Sequence, residues 1–211
     1  MAYSDFNFDK LERDLQLTLA EADLYSSVKP IAVSPILAAV LEENVPLGVT
    51  INTEKARSEL IIAPILVELR KILNHKISLF SGIEFNIDAK KGLNGVCDFL
   101  IAASPTQILL TAPAIQIVEA KNENIKGGIP QCIAEMFAAQ IFNQKKKILL
   151  SVVYGVVTIG SSWRFMQLEG NKVTVDSREY FIDNAGKILG ILYYMADEIL
   201  TNQLGQPIVG G

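Results

Sequence analysis

The stretch Ala114-Ile-Gln-Ile-Val-Glu-Ala-Lys-Asn122 decides how this chain reads. It is short, apolar and partly β-branched until it meets a carboxylate and an amine. Residues two apart on a strand point to the same face, so Ile115, Ile117, Glu119 and Lys121 share one side. Two charges at the end of an apolar strand need a partner or a ligand, because burying them unpaired is costly.

Upstream, Gly95-Val-Cys-Asp-Phe-Leu-Ile-Ala-Ala103 is a second apolar run, interrupted by Asp98. Pairing of the two runs would bring Asp98 and Glu119 together. Like carboxylates repel, and a divalent cation relieves that repulsion. A few hard oxygen donors completed by water suit Mg2+ or Mn2+.

Working outward, period-two patterning predicts strands over 77–88, 96–103 and 114–120, with a Gly- and Asn-bearing turn at 90–95. Gly127, Gly128 and Pro130 precede a helical pattern over 131–143, with proline suited to its first turn. A strand is expected over 148–159, a hairpin from 163–168 and 172–176 around 169–171, and a closing amphipathic helix over 184–200. Before the sheet, 53–73 reads as a long helix with Leu60, Ile61, Ile65, Leu69, Ile72 and Leu73 along one side, kinked or delayed at Pro64. The front of the chain predicts a helix over 9–25, a short helical piece over 36–41 and a loop over 44–50. The expected organisation is an N-terminal helical appendage, 1–52, packed on a core unit, 53–211. The element order gives an α/β (α+β) class with a mixed central sheet flanked by helices.

Composition narrows the function. Half of the 211 residues are hydrophobic, enough for a sizeable core, and the net charge of −4 argues against a broad basic coat for nucleic acid. A local basic strip from Lys126, Lys145–Lys147, Arg164, Lys172 and Arg178 remains open. Cys97, Cys132 and a single histidine, His75, cannot supply a zinc cluster, and a disulfide scaffold is not expected. The cysteine usage suits a reducing cytoplasm. Met1-Ala-Tyr-Ser-Asp-Phe6 shows no signal-peptide pattern, and the apolar run 148–160 falls short of the roughly 18–20 residues of a spanning helix, so no membrane partner is expected.

An acid after a turn, about twenty residues, and then Glu-x-Lys on an apolar strand resembles the PD-(D/E)XK nuclease superfamily. Here the motif is Asp98 with Glu119-Ala-Lys121. Glu59 lies in the preceding helix, where many members carry a further acidic ligand. Gln131 opens the following helix, where some members carry a glutamine. The resemblance covers about 53–154, and Cys97 stands where the name-giving proline would be. It implies a restriction-endonuclease-like fold and a Mg2+-dependent nuclease, Mn2+ substituting, that hydrolyses phosphodiester bonds, DNA being the first expected substrate. It further implies metal on Glu59, Asp98 and Glu119, and chemistry carried by Asp98, Glu119, Lys121 and Gln131; members that cut both strands are commonly homodimers. Two other readings stay open. One is a catalytically inactive binding or structural module of the same fold, favoured by the acidic balance and the front appendage. The other is an α/β enzyme for small anionic substrates, which requires Asp98 and Glu119 to lie far apart. Glu135, one turn beyond Gln131, reads as a solvated residue.

Overall fold

The computed structural model describes residues 2–203. Met1 and residues 204–211, the outer ends of the two expected units, lie outside the described residues.

The strand β4 (Ala114–Ala120) lies inside an eight-stranded sheet, and all seven of its residues are buried. The other strands are β1 (Thr18–Ala22), β2 (Ser78–Glu84), β3 (Val96–Ala102), β5 (Val153–Thr158), β6 (Ser162–Glu169), β7 (Lys172–Asp176) and β8 (Tyr180–Phe181). The order is β1-β7-β6-β5-β4-β3-β2, with β8 pairing β6. β4 runs antiparallel to β3 and parallel to β5, and β1 runs parallel to β7, so the sheet is mixed and the fold is α/β.

Six helices cover the two faces: α1 (Phe8–Leu15), α2 (Pro35–Ile51), α3 (Glu54–Arg57), α4 (Ala63–Ile72), α5 (Ile125–Lys145) and α6 (Ala185–Glu198). One core layer joins α2, α4 and α6 to the sheet through Leu41, Ile65, Leu69, Val118, Phe165 and Leu192. The other joins α1 and α5 through Leu11, Leu100, Ile117, Ile133, Met136 and Val157. Covering both faces is what lets β4 read as an almost continuous apolar run. Among the described residues no helix is long and apolar enough to cross a membrane.

Several elements differ from expectation. The front segment is not a helical layer alone. Gln16 takes a left-handed conformation (φ +56°) and ends α1, after which residues 18–22 pair along β7 as an edge strand. Tyr3, Phe6, Leu11, Leu15 and Leu17 are buried in the α5-side core, so this segment is part of the main unit. The expected loop over 44–50 is helical: α2 starts on a Ser34 cap, whose side chain accepts from Leu37 N, and runs through Pro46.

The predicted helix over 53–73 is broken as its proline requires. Pro64 has no N–H to give the Leu60 carbonyl four residues back. A π-helical turn, Ser58–Ile62, separates α3 from α4, and the Leu60 carbonyl accepts from Asn44 Nδ2 on α2 at 3.0 Å instead. Finally, α5 begins earlier than expected, because the Asn124 side chain accepts from Gly127 N at 2.9 Å and caps it there. Gly127, Gly128, Pro130 and Gln131 therefore all lie within the helix.

Candidate functional site

The β3–β4 register, Phe99 opposite Val118 and Leu100 opposite Ile117, continued by one pair sets Asp98 opposite Glu119. Directly opposed side chains share a face and lie close. Asp98 Oδ2 accepts from Ala120 N at 2.8 Å, which pins the carboxylate to the end of β4. Its carboxyl faces the Glu119 carboxyl across the β3–β4 pair, and the charge of each is felt by the other. Two carboxyl groups so placed can bond only by sharing a proton or a cation. The α/β-enzyme reading that needs these acids apart is not met.

Beyond β4, Lys121 N donates to Thr158 O at 2.8 Å and so holds residue 121 against β5. Lys121 Nζ donates to Glu119 Oε1 and, at 3.3 Å, to Gln131 Oε1. Gln131 Nε2 in turn donates to Glu135 Oε1 at 3.2 Å. One polar chain thus runs Glu119–Lys121–Gln131–Glu135 from strand end to helix. Gly128 makes this approach possible, because a Cβ there would stand 3.0 Å from Lys121 Cγ and 2.8 Å from Val157 Cγ1.

The chain is deeply placed. Glu119 is 1% exposed and Glu135 is fully buried. Glu119 Oε2 and Glu135 Oε2 are both buried without a hydrogen-bond partner. Burial, and then the charges of Asp98 and Glu54, push the Glu119 pKa up to about 8 against the pull of Lys121. Burial, and then Glu119, hold Glu135 well above the usual carboxylate range. Burial also raises Asp98, opposed by the Ala120 N–H and by Lys121. For Lys121 burial acts downward, but Glu119, Glu54 and Asp98 outweigh it and hold the ammonium above the ordinary lysine value. Burial raises both thiols, so Cys97 and Cys132 behave as small apolar groups rather than nucleophiles.

The site opens beside Asp98 into a cleft of about 230 Å³ lined in part by Glu54, Glu59 and Gly82. Glu59, expected as a metal ligand, lines this cleft together with Asp98. Its side chain is 61% exposed and paired with Lys55 at 2.7 Å, at the rim of the cleft. The helix acid whose charge acts on Asp98, Glu119 and Lys121 is Glu54.

Gln131 bonds Lys121 from inside α5 rather than from the helix's first turn, so free helix N–H groups do not assist it. Glu135, read as solvated, is the most deeply buried acid of the group. Its signal was in the sequence: it lies four residues from Gln131, on the same helix face, between Ala134 and Met136.

Among the described residues no group of three or more His, Cys, Asp or Glu is disposed to hold a metal ion. A cation here would have only the pair Asp98 and Glu119 as carboxylate donors, with water for the rest. Glu119 Oε2 is buried without a hydrogen-bond partner, so it is an acceptor left over for a cation or a proton.

The expected basic strip is divided. Lys145 Nζ donates to Ile87 O at 2.8 Å, and Arg178 pairs with Asp23 at 2.8 Å. Lys126 and Lys145 stand near opposite ends of the 21-residue α5, about 30 Å apart. Lys126 and Arg164 meet at a separate cleft.

Compared with protein-family models the chain matches none, and compared with curated proteins it has no match.

Proposed function

We infer that this protein is a divalent-metal-dependent nuclease of the PD-(D/E)XK type, acting on phosphodiester bonds in DNA in a reducing cytoplasm. The observation that carries the reading is the meeting of Asp98 and Glu119 on adjacent strands with the Lys121 ammonium beside them. Asp98 and Glu119 would hold Mg2+ or Mn2+, with Glu54 rather than Glu59 adding negative charge from the helix. The bound ion would polarise the phosphoryl oxygen and acidify an attacking water. Lys121 would orient that water or stabilise the added negative charge on the phosphoryl oxygens. Gln131 would steady Lys121, and Glu135 would anchor Gln131. Cleavage of DNA by the purified protein with Mg2+ or Mn2+, lost in both Asp98→Ala and Lys121→Ala, tests the reading. Cleavage surviving both changes refutes it. Action on both strands of a duplex would call for a homodimer, which sedimentation of the native protein checks.

One observation favours a catalytically inactive binding module instead. Lys121 is bonded to Glu119 and Gln131, and Glu119 is sealed from solvent. Calorimetric titration with Mn2+ separates the two. Heat that disappears in Asp98→Ala supports the nuclease; no heat with the native protein supports the module.

A further inference from the structure

A cleft of about 440 Å³ lies on the α5 side of the sheet, between α1, β1, β6, β7 and the first turns of α5. Its walls are apolar, from Phe8, Leu19, Ile129 and Val175, and its cations are Lys126 and Arg164. Neither cation belongs to an ion pair among the described residues. Arg164 makes one long bond, Nη2 to Ser177 O at 3.4 Å, and its Nε is buried without an acceptor. Glu21 is the one carboxylate in the lining.

The cleft shares a row with the acid pair. Glu119 stands opposite Val157 on β5, and Val157 stands opposite Arg164 on β6. Two strand spacings separate Glu119 from Arg164, about 10 Å. Val157 between them is fully buried beneath Gly128, so the first turns of α5 stand between the cleft and the acids.

We propose that this cleft binds one unpaired nucleotide of a single-stranded DNA, across the first turns of α5 from the acids. An aromatic ring and aliphatic walls accept the flat face of a base, which a duplex keeps stacked inside. Lys126 and Arg164 accept the phosphate of the same unit, with the donors that the protein leaves unused. The exposed Glu21 carboxylate turns phosphate away from its own side and accepts N–H groups from a base edge. The front segment, through Phe8, Leu19 and Glu21, thereby builds the substrate-binding wall. The proposal rests on the nuclease reading for the class of its ligand, while its test is a binding measurement that needs no cleavage.

The test is fluorescence anisotropy of a labelled oligothymidylate and of a hairpin duplex with the full chain in chelator. The single strand should bind more tightly. Phe8→Ala and Arg164→Gln should each weaken it by roughly tenfold. The exposed Lys126→Gln, which leaves the core untouched, should weaken it and flatten its salt dependence. An abasic strand should lose the dependence on Phe8 and keep that on Arg164. Equal affinity for the two forms, or unchanged single-strand binding in Phe8→Ala and Lys126→Gln, overturns the proposal. Asp98→Ala separates it from the nuclease reading, since this variant should still bind the strand. Strand binding by a native protein that never cleaves sinks the nuclease reading alone; cleavage with duplex preference sinks this proposal alone.

Discussion

The sharpest quantitative consequence concerns the stability of the protein without metal. An ordinary strand-end ion pair would hold Glu119 below the usual carboxylate range, and Glu119→Gln would then cost stability at alkaline pH. The structure gives the opposite sign, because burial and the neighbouring acids raise Glu119 from 4.5 to about 8. A carboxyl whose folded pKa lies above its unfolded value binds its proton more tightly when folded. Its stabilising contribution is complete below about pH 4.5, declines as pH rises, and is gone above about pH 8. At about 1.4 kcal/mol per tenfold change in proton affinity, that rise corresponds to at most about 5 kcal/mol. Glu135 acts in the same direction and its own pKa is raised in part by Glu119, so removing the Glu119 charge also relaxes Glu135. Urea unfolding of the native protein and of Glu119→Gln in chelator, at about pH 5 and about pH 9, measures this directly. Between the two conditions the native protein should lose about 2–5 kcal/mol more than the variant. Parallel losses within about 0.5 kcal/mol, or a variant less stable than the native protein at the higher pH, would refute the reasoning.

Other consequences are simpler to state. Glu54→Gln should weaken Mn2+ binding several-fold by calorimetry, whereas Glu59→Gln, whose carboxylate is held by exposed Lys55, should leave it unchanged. Gly128→Val should push α5 away from Lys121, lower the unfolding free energy by about 1–3 kcal/mol in urea titration, and remove DNA cleavage while circular dichroism stays native. Asn143 is buried and bonds both Ala114 N (2.8 Å) and Ala114 O (2.7 Å), extending β4 like an added strand residue. Asn143→Ala leaves both backbone groups unsatisfied and should cost about 2–4 kcal/mol, read as a fall in Tm.

The sheet was legible because its signal is local. Period-two runs bounded by Gly, Asn and Lys turns mark β2 through β7, and β4 falls at its expected bounds. The acid pair was legible for the same reason, since a charge that interrupts a two-faced apolar strand cannot be a surface residue. The misreadings arose where distant chain segments decide the outcome. Residues 18–22 carry weak patterning and become a strand only because β7 offers an unpaired edge 150 residues later in the chain, where Thr18 meets Lys172. The break between α3 and α4 is local, written in Pro64, but its tolerance depends on Asn44 reaching across from α2. Glu135 differs from expectation because residue type alone suggests solvation, whereas its helix neighbours Cys132, Ala134, Met136, Ala138 and Ala139 are apolar and Gln131 is its polar partner.

The buried polar chain carries an argument about the front segment. Stability alone would favour apolar residues at 119 and 135, since isolated acids in a packed interior are destabilising. Instead the cluster is graded. At one end Asp98 borders a cleft beside Glu54, open to an incoming cation. At the other end Glu135 is fully buried. On the same side of the sheet the Tyr3 hydroxyl donates to Phe85 O at 2.6 Å, and its ring lies where a Cβ at residue 95 would come within 3.0 Å. The same front segment contributes Phe8 and Leu19 to the cleft beyond Arg164. Residues 2–22 therefore add to the core on the α5 side and wall the cleft there, so they fold with the sheet rather than apart from it.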